Sequence, residues 1–213
     1  MPKEYKILLG IGLGAIVLGV VLFKFFGTPA QLAPLTDRAG LYTKGASTAT
    51  ITLTEFADFQ CPACRTANDI PNQVLSNYPN DVKFVFRNFP LTSHPFGTMS
   101  ALASEAAGAQ GKFWEMHDLL YEKQDEWGNL AAPLSPEQVL TYFQSYAGQL
   151  GLDVNKFSKA VETNEAINII NEDISAGTAS GVNATPTFYV NNTKITEPSF
   201  AAIKKEVDRV LQK

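Results

Sequence analysis

Two cysteines that lie three positions apart are the residues of this chain most suited to chemistry. Cys61 and Cys64 are the only cysteines among 213 residues, and Pro62 and Ala63 separate them. A Cys-x-x-Cys pair can close into a disulfide that opens again, and this chain has no third cysteine to trap a mispaired intermediate. The spacing therefore predicts a dithiol that exchanges electrons with other thiols.

Two other uses of such a pair are open at this point. A structural disulfide would close a loop of only a few residues, and so short a loop removes little entropy from the unfolded chain. A zinc site would need two further ligands, and the chain offers only His94 and His117, which lack ligand-like spacing. We favour the redox interpretation and expect neither a metal nor a cofactor.

The flanking residues place the pair where a strand gives way to a helix. Residues 49–59 are β-branched and aromatic, and apolar residues recur with helical spacing from Cys64, with a kink expected at Pro71. A sulfur at a helix N-terminus meets free N–H groups and the positive end of the helix dipole, which favour the thiolate. Cys61 is therefore predicted to be the nucleophile, and Cys64, one turn further in, the resolving cysteine.

The rest of the chain predicts an α/β fold. A second strand is expected at residues 82–89, which completes a βαβ unit with parallel strands. Helices are expected throughout residues 95–180, including one over residues 112–127 and one that begins with a capping box at residues 135–138. A strand at 187–190, a turn at 191–192, a short strand at 194–196 and an amphipathic helix follow.

The N-terminal 27 residues differ in composition from the rest. Residues 7–26 carry Lys24 as their sole charge. A helix of that length spans roughly 30 Å, the thickness of a bilayer core. Lys3 and Lys6 precede it, so the positive-inside rule puts the N-terminus in the cytoplasm. The pattern predicts a single-pass transmembrane anchor, and a secretory signal cleaved near residues 28–30 is the alternative.

These segments give a simple organisation. We expect a transmembrane anchor at residues 1–27, a linker at 28–40 and one domain at 41–213. The domain would lie outside the cytoplasm, on the periplasmic or extracellular face of the cell membrane, where disulfide chemistry is common. The net charge is −4 and no run of Lys or Arg is present, which argues against nucleic acid as a partner.

Four motifs resemble those of the DsbA-like thioredoxin-fold thiol–disulfide oxidoreductases. They are residues 55–64 (Glu-Phe-Ala-Asp-Phe-Gln-Cys-Pro-Ala-Cys), 86–91 (Phe-Arg-Asn-Phe-Pro-Leu), 110–118 (Gln-Gly-Lys-Phe-Trp-Glu-Met-His-Asp) and 181–188 (Gly-Val-Asn-Ala-Thr-Pro-Thr-Phe). Their order is that of the family, and the similarity runs from about residue 51 to the C-terminus. The resemblance implies a thioredoxin fold with a helical domain inserted after the second strand of the βαβ unit.

The resemblance also implies roles for single residues near the dithiol. It makes Pro186 a cis-proline that faces the cysteines, and it gives Thr185 backbone groups that pair with an extended substrate. Pro62 and Ala63 would contact substrate as well. Glu55 stands where the family has a buried acid that relays the proton of the second cysteine, and burial would raise its pKa towards neutrality. A solvated carboxylate on an edge strand is the alternative for this residue.

Other polar residues near the motifs are expected to be structural. Asp58 is family-like, and we expect it at the surface or in local hydrogen bonds. His94 and His117 are expected to support the fold.

Two positions depart from the family pattern. Many strong oxidases of the family have histidine just before the second cysteine, where this chain has Ala63, and Asn88 also stands where histidine is frequent. Thioredoxin-like and DsbA-like couples differ by roughly 150 mV, and the loss of one partner of the thiolate would shift the potential by only part of that. We predict that the Cys61–Cys64 pair is less oxidising than the pair of relatives with histidine, but that its reduction potential is still that of an oxidase.

The sequence thus favours a dithiol oxidase that introduces disulfides into exported proteins. Its partners would be cysteine-containing exported clients and a membrane protein that reoxidises it, and the chain would be a monomer. A disulfide reductase or isomerase of the same fold is the first alternative. A tethered chaperone or assembly module, in which the dithiol is not essential, is the second.

Overall fold

The computed structural model describes residues 42–132 and 134–212. The transmembrane anchor expected at residues 1–27 and the linker expected at 28–40 lie outside the described residues. Among those that are described, no helix is both long enough and apolar enough to cross a membrane.

A mixed sheet of five strands forms the centre of the fold. In chain order the strands are β1 (Thr43–Gly45), β2 (Ile51–Ala57), β3 (Val82–Asn88), β4 (Thr187–Val190) and β5 (Thr193–Lys194). Their order in the sheet is β1-β3-β2-β4-β5, and β2 and β3 are parallel, as the βαβ pattern predicts. The strand that leads to the cysteines therefore has a neighbour on each side, and all seven of its residues are buried.

Nine helices occur within the described residues. In chain order they are α1 (Pro62–Ala67), α2 (Ile70–Asn77), α3 (Gly97–Gly108), α4 (Phe113–Glu122), α5 (Gln124–Trp127), α6 (Pro136–Gln149), α7 (Val154–Glu162), α8 (Ile167–Ala179) and α9 (Phe200–Leu211). Helices α3 to α8 all lie between β3 and β4 in the chain, so they form the predicted helical insertion. The predicted capping box is present at the start of α6, where Ser135 and Gln138 bond reciprocally.

The helix expected after Cys64 is two helices rather than one kinked helix. α1 ends at Ala67, and α2 begins at Ile70 with Pro71 in its first turn. Proline cannot donate the hydrogen bond that would continue α1, but the first turn of a new helix needs no such bond. The chain therefore stops one helix and starts another around Pro71.

Two further expectations need correction. The helix expected over residues 112–127 divides at Lys123 into α4 and α5. The indole N–H of Trp127 donates to the carbonyl of Leu120 (3.1 Å), which is the acceptor that an unbroken helix would offer to the N–H of Gln124. Strand β5 lies at Thr193–Lys194 rather than 194–196, and β1 was not expected at all.

The sheet and the insertion share one hydrophobic core. A single cluster of buried side chains joins Leu53 and Phe86 of the sheet to Phe113, Trp127 and Phe143 of the insertion. Both cysteines belong to the same cluster. The insertion is therefore packed directly against the strands and the loop that carry the dithiol.

Candidate active site

The dithiol lies where β2 passes into α1. Cys61 is the N-cap residue of α1, with φ −75° and ψ 120°, and Pro62 occupies the first helical position. Cys61 is 6% exposed and Cys64 is 0% exposed, whereas Pro62 and Ala63 are exposed. Both cysteines are free thiols here. The helix start thus presents the first thiol near the surface and holds the second in the core.

The two thiols have opposite acidities. The pKa of Cys61 is lowered to about 5, chiefly by the hydrogen bond from the Cys64 side chain and, against the effect of burial, also by Thr185 and the first backbone groups of α1. Burial raises the pKa of Cys64 well above its ordinary value, and the hydrogen bond with Cys61 and the charge of Glu55 add to this. At neutral pH Cys61 is therefore a thiolate and Cys64 a thiol.

The loop before β4 meets the first cysteine. The Thr185–Pro186 peptide bond is cis. The Cys61 sulfur lies 3.4 Å from the carbonyl oxygen of Thr185, to which it donates when it is protonated, although the two residues are 124 positions apart. The fold thus brings the Thr185–Pro186 pair to the dithiol.

Glu55 lies inside the sheet. It is 2% exposed and sits on the central strand β2, paired with Phe86 on one side and Phe188 on the other. Burial raises the pKa of its carboxyl group to about 8. The alternative of a solvated edge carboxylate is therefore wrong, because β2 is not an edge strand. A carboxyl group with this pKa can both give and accept a proton near neutral pH.

Asp58 is buried rather than at the surface. It is 1% exposed and accepts hydrogen bonds from the backbone N–H groups of Gln60 (2.8 Å) and Leu91 (2.8 Å). Nδ1 of His94 lies 2.6 Å from Oδ2 of the same carboxylate. The local hydrogen bond is confirmed by Gln60, whereas the surface position is wrong, because the loop after β3 folds back over the cysteine loop and supplies the other two partners.

The remaining histidine and asparagine positions are part of the buried framework. His117 packs edge-on against Phe59 and Phe86, and burial lowers its pKa, while its Nδ1 contacts the Asp118 carboxylate at 2.7 Å. Asn88 donates its side-chain amide to Glu105 at 3.0 Å. The described residues contain no cluster of three or more His, Cys, Asp or Glu side chains that could hold a metal ion.

Two buried glutamines, both missed by the sequence-based predictions, tie the cysteine loop to the insertion. The Gln124 amide donates to the carbonyl groups of Phe59 (2.7 Å) and Cys61 (3.1 Å). The Gln60 amide donates to Gly128 (3.3 Å) and accepts from the N–H of Phe96 (2.6 Å). One signal was present for Gln124, since it follows the apolar stripe Phe113, Met116, Leu120 at helical spacing and so had to face inward.

A cleft of about 640 Å³ opens beside Pro62. One wall comes from α1 through Arg65 and Thr66, and the other comes from α5 and residues 128–131. Arg65 and Asp125 form an ion pair between these walls, with 2.6 Å from nitrogen to oxygen. The cleft is therefore a space next to the dithiol that both the sheet half and the insertion line.

Comparison with known proteins agrees with this architecture. A family model described as Thioredoxin matches residues 39–209. Among curated proteins, the Na(+)/H(+) antiporter NhaA 3 of Salinispora tropica is 40% identical over 151 residues, which are 70% of this chain and 21% of that protein. The Na(+)/H(+) antiporter NhaA of Herminiimonas arsenicoxydans is 31% identical over 190 residues, 85% of this chain and 28% of that protein. This chain spans less than a third of the length of either relative.

Solved structures share the fold over most of this chain. The oxidised form of BdbD from Bacillus subtilis matches with a TM-score of 0.72 at 24% identity, over 82% of this chain and 94% of that one. A thioredoxin-like oxidoreductase from Silicibacter pomeroyi matches with a TM-score of 0.69 at 24% identity, over 87% and 99%. α-DsbA1 from Wolbachia pipientis matches with 0.67 at 19% identity, over 81% and 92%. The predicted α/β fold, a thioredoxin core with inserted helices, is confirmed.

Proposed function

The chain belongs to the thioredoxin family, in the DsbA-like form of its fold, and we propose that it is a thiol–disulfide oxidoreductase that works as an extracytoplasmic dithiol oxidase. The observation that carries the proposal is the opposite acidity of the two thiols of Cys61 and Cys64. An acidic first thiol stabilises the reduced dithiol, so the disulfide form tends to pass its oxidising equivalents to other proteins.

The oxidising reaction has two exchange steps. A client thiolate attacks the Cys61 sulfur of the Cys61–Cys64 disulfide, the bond between the two cysteines breaks, and Cys64 leaves as a thiolate. A second client thiolate then attacks the client sulfur of the mixed disulfide, and Cys61 leaves as a thiolate. The client gains a disulfide and the enzyme gains two electrons. The low pKa of Cys61 makes it the better leaving group in the second step.

Glu55 has the properties of the proton donor in the first step. The Cys64 thiolate has a strongly raised pKa and must take up a proton as it forms. The charge of Glu55 acts on Cys64, and a carboxyl group with a pKa of about 8 is largely protonated at neutral pH. We assign Glu55 as the proton relay on these grounds.

The client is proposed to bind across the exposed start of α1. The Thr185 carbonyl group lies within reach of the Cys61 sulfur, which suits pairing with the backbone of an extended client segment. Pro62 and Ala63 are exposed beside the nucleophile and form the other contact. The clients in this proposal are exported proteins with free cysteines.

The proposed location is the outer side of the cell membrane. Residues 7–26 have the length and composition of a single-pass anchor, and Lys3 and Lys6 orient the N-terminus towards the cytoplasm. Curated relatives carry the name of a sodium–proton antiporter, and their longer chains include a segment similar to this one, which also supports a position at a membrane. A membrane protein would reoxidise the dithiol.

A disulfide reductase is the second candidate, and Ala63 is the observation that favours it. A histidine at this position would stabilise the Cys61 thiolate further, and alanine does not. The reduction potential of the full chain in detergent, measured against glutathione buffers, separates the two candidates. The oxidase proposal expects a value closer to the roughly −120 mV of DsbA than to the roughly −270 mV of thioredoxin. A value near that of thioredoxin would overturn it in favour of the reductase.

A further inference from the structure

We propose that Gln124, a residue of the helical insertion, is a positioning residue for Cys61, whose amide holds the loop of the nucleophile in its reactive conformation. The inference rests on the dithiol chemistry of the proposed function, but it does not depend on the direction in which electrons flow.

The Gln124 amide bonds two carbonyl groups of the cysteine loop. Gln124 is 5% exposed, and its side-chain nitrogen donates to the carbonyl groups of Phe59 at 2.7 Å and of Cys61 at 3.1 Å. A side-chain amide has two N–H donors, so both are used on the backbone of one loop. One of these carbonyl groups belongs to Phe59, two residues before the nucleophile, and the other belongs to Cys61 itself.

The start of α1 has no side-chain cap of its own. Cys61 is the N-cap residue, and its side chain makes no capping hydrogen bond. Its carbonyl oxygen accepts the first bond of the helix from the N–H of Arg65 (3.2 Å) and also the bond from Gln124. Gln124 therefore fixes the carbonyl group from which α1 starts, and with it the position of the sulfur relative to the N–H groups of the helix.

The two hydrogen bonds from Gln124 also have an electrostatic effect. The carbonyl oxygens of Phe59 and Cys61 are the negative ends of peptide dipoles beside a sulfur that carries charge. Two N–H groups directed at these oxygens offset that negative potential in a buried site, where such effects are strong. A side chain that cannot donate leaves both oxygens without this partner next to the thiolate, and the thiolate form is then less favoured.

Gln124 is held in place by the packing of its helix. It is the first residue of α5, which is anchored by Trp127 through its indole bond to Leu120 and its edge-on contact with the ring of Phe143 (5.0 Å between centroids). Supporting residues of this kind fix reacting groups best when they sit on packed elements. The insertion therefore contacts the carbonyl group of the nucleophile through the Gln124 amide.

The test compares three full-length variants in detergent with the wild-type chain. Gln124→Met keeps the size and removes the donors, and Gln124→Glu replaces the donors by a charged acceptor. Gln110→Met is the matched control, because Gln110 also bonds a backbone with its amide, at Asp153, but is only half-buried and belongs to the α3–α4 connection. The Cys61 pKa is followed by thiolate absorbance, and the equilibrium constant with glutathione and the unfolding temperature are measured alongside.

We expect Gln124→Met to raise the Cys61 pKa by about one unit, and the equilibrium constant for oxidation of glutathione to fall by about tenfold with it. Gln124→Glu should give a larger change in the same direction, and Gln110→Met none. If either Gln124 variant does not fold, Gln124→Asn, which keeps the amide at shorter reach, is expected to show a smaller rise in the Cys61 pKa.

The proposal is overturned if the folded Gln124 variants lose unfolding temperature but retain the wild-type Cys61 pKa and glutathione equilibrium, because Gln124 is then a structural residue only. A wild-type potential near that of thioredoxin would instead overturn the oxidase direction, and the predicted difference between wild type and variants would stand. The two failures are thus told apart by separate measurements.

Discussion

The sheet half of the molecule and the helical insertion contribute to the site in different ways. In the proposed reaction, the sheet half supplies the groups that react or exchange protons, namely Cys61, Cys64 and Glu55, together with the backbone of Thr185. The insertion supplies the Gln124 amide and one wall of the cleft beside Pro62. On this proposal, the reacting groups and the residue that positions them belong to separate parts of the chain.

The strongest test of this division replaces the cysteines. Cys61→Ser is expected to abolish thiol exchange, because a hydroxyl group cannot form a disulfide with the client. Cys64→Ser keeps the nucleophile without its resolving partner, so mixed disulfides with clients should accumulate and be visible on non-reducing gels. Client maturation that survives Cys61→Ser would show that the chain is a binding module and that the dithiol is incidental.

The next largest effect is expected at Glu55. Glu55→Gln should slow the first exchange step on the order of 10²-fold, the usual contribution of general acid–base catalysis. In the wild type, with the client thiolate concentration held constant, the rate of this step should fall as pH rises through about 8, because Glu55 then loses its proton. Stopped-flow kinetics across pH test both points. If the inflection persists in Glu55→Gln, Glu55 is excluded as its source.

The same substitution should stabilise the fold. Burial raises the pKa of Glu55 from 4.5 to about 8, so the folded chain binds the proton more tightly than the unfolded chain does. The contribution of Glu55 to the free energy of unfolding is therefore most favourable below pH 4.5, and it falls as the pH rises towards 8. At neutral pH Glu55→Gln removes a penalty on the order of 3 kcal/mol, measurable by denaturant unfolding. A loss of stability in the variant would contradict the assignment.

A smaller effect is expected from restoring the family's histidine. Ala63→His places an imidazole at the exposed start of α1 beside the Cys61 thiolate. The equilibrium constant with glutathione should then rise by roughly tenfold, which corresponds to about 30 mV. Thr66→His, on the same helix and also exposed, is the control and should leave the potential unchanged. An equal shift in both variants would point to a general effect of added charge.

The smallest effect is expected where the two halves meet at the surface. The Arg65–Asp125 ion pair joins the walls of the cleft, but its side chains are 37% and 81% exposed. Exposed pairs contribute little, so Asp125→Asn should change the free energy of unfolding by less than about 0.5 kcal/mol and should leave the potential as it is. A larger shift in potential would mean that the insertion acts on the dithiol through charge as well as through Gln124.

Sequence was sufficient where a local pattern decides the structure. The strand before Cys61, the turn at residues 191–192 and the capping box at Ser135 each depend on neighbouring residues only, and each is present. The two helices around Pro71 show the limit of such patterns, because a proline can mark either a kink within one helix or the first turn of a new helix.

The remaining parts depend on contacts between distant residues. Asp58 is buried by the loop after β3, whose Leu91 lies 33 positions further along the chain. Strand β1 has only three residues at the edge of the sheet, too few to show a periodic pattern. Tyr42, just before it, stacks on Phe113 at 3.7 Å, seventy-one positions away in the chain. Contacts between residues so far apart in the chain cannot be predicted from the spacing of neighbouring residue types. Gln124 is the intermediate case, since spacing indicates that it faces inward but not which carbonyl groups it meets.

The long separation between Cys61 and Thr185 has a consequence for biosynthesis. The two residues are 124 positions apart, and the whole insertion lies between them. At about 5–20 residues per second, a ribosome needs roughly 6 to 25 seconds to pass from the first to the second. The nascent chain therefore emerges with its cysteines long before β4 can pair with β2. A growing chain carries thiols without an assembled site, and the activity begins only when synthesis of the domain is nearly complete.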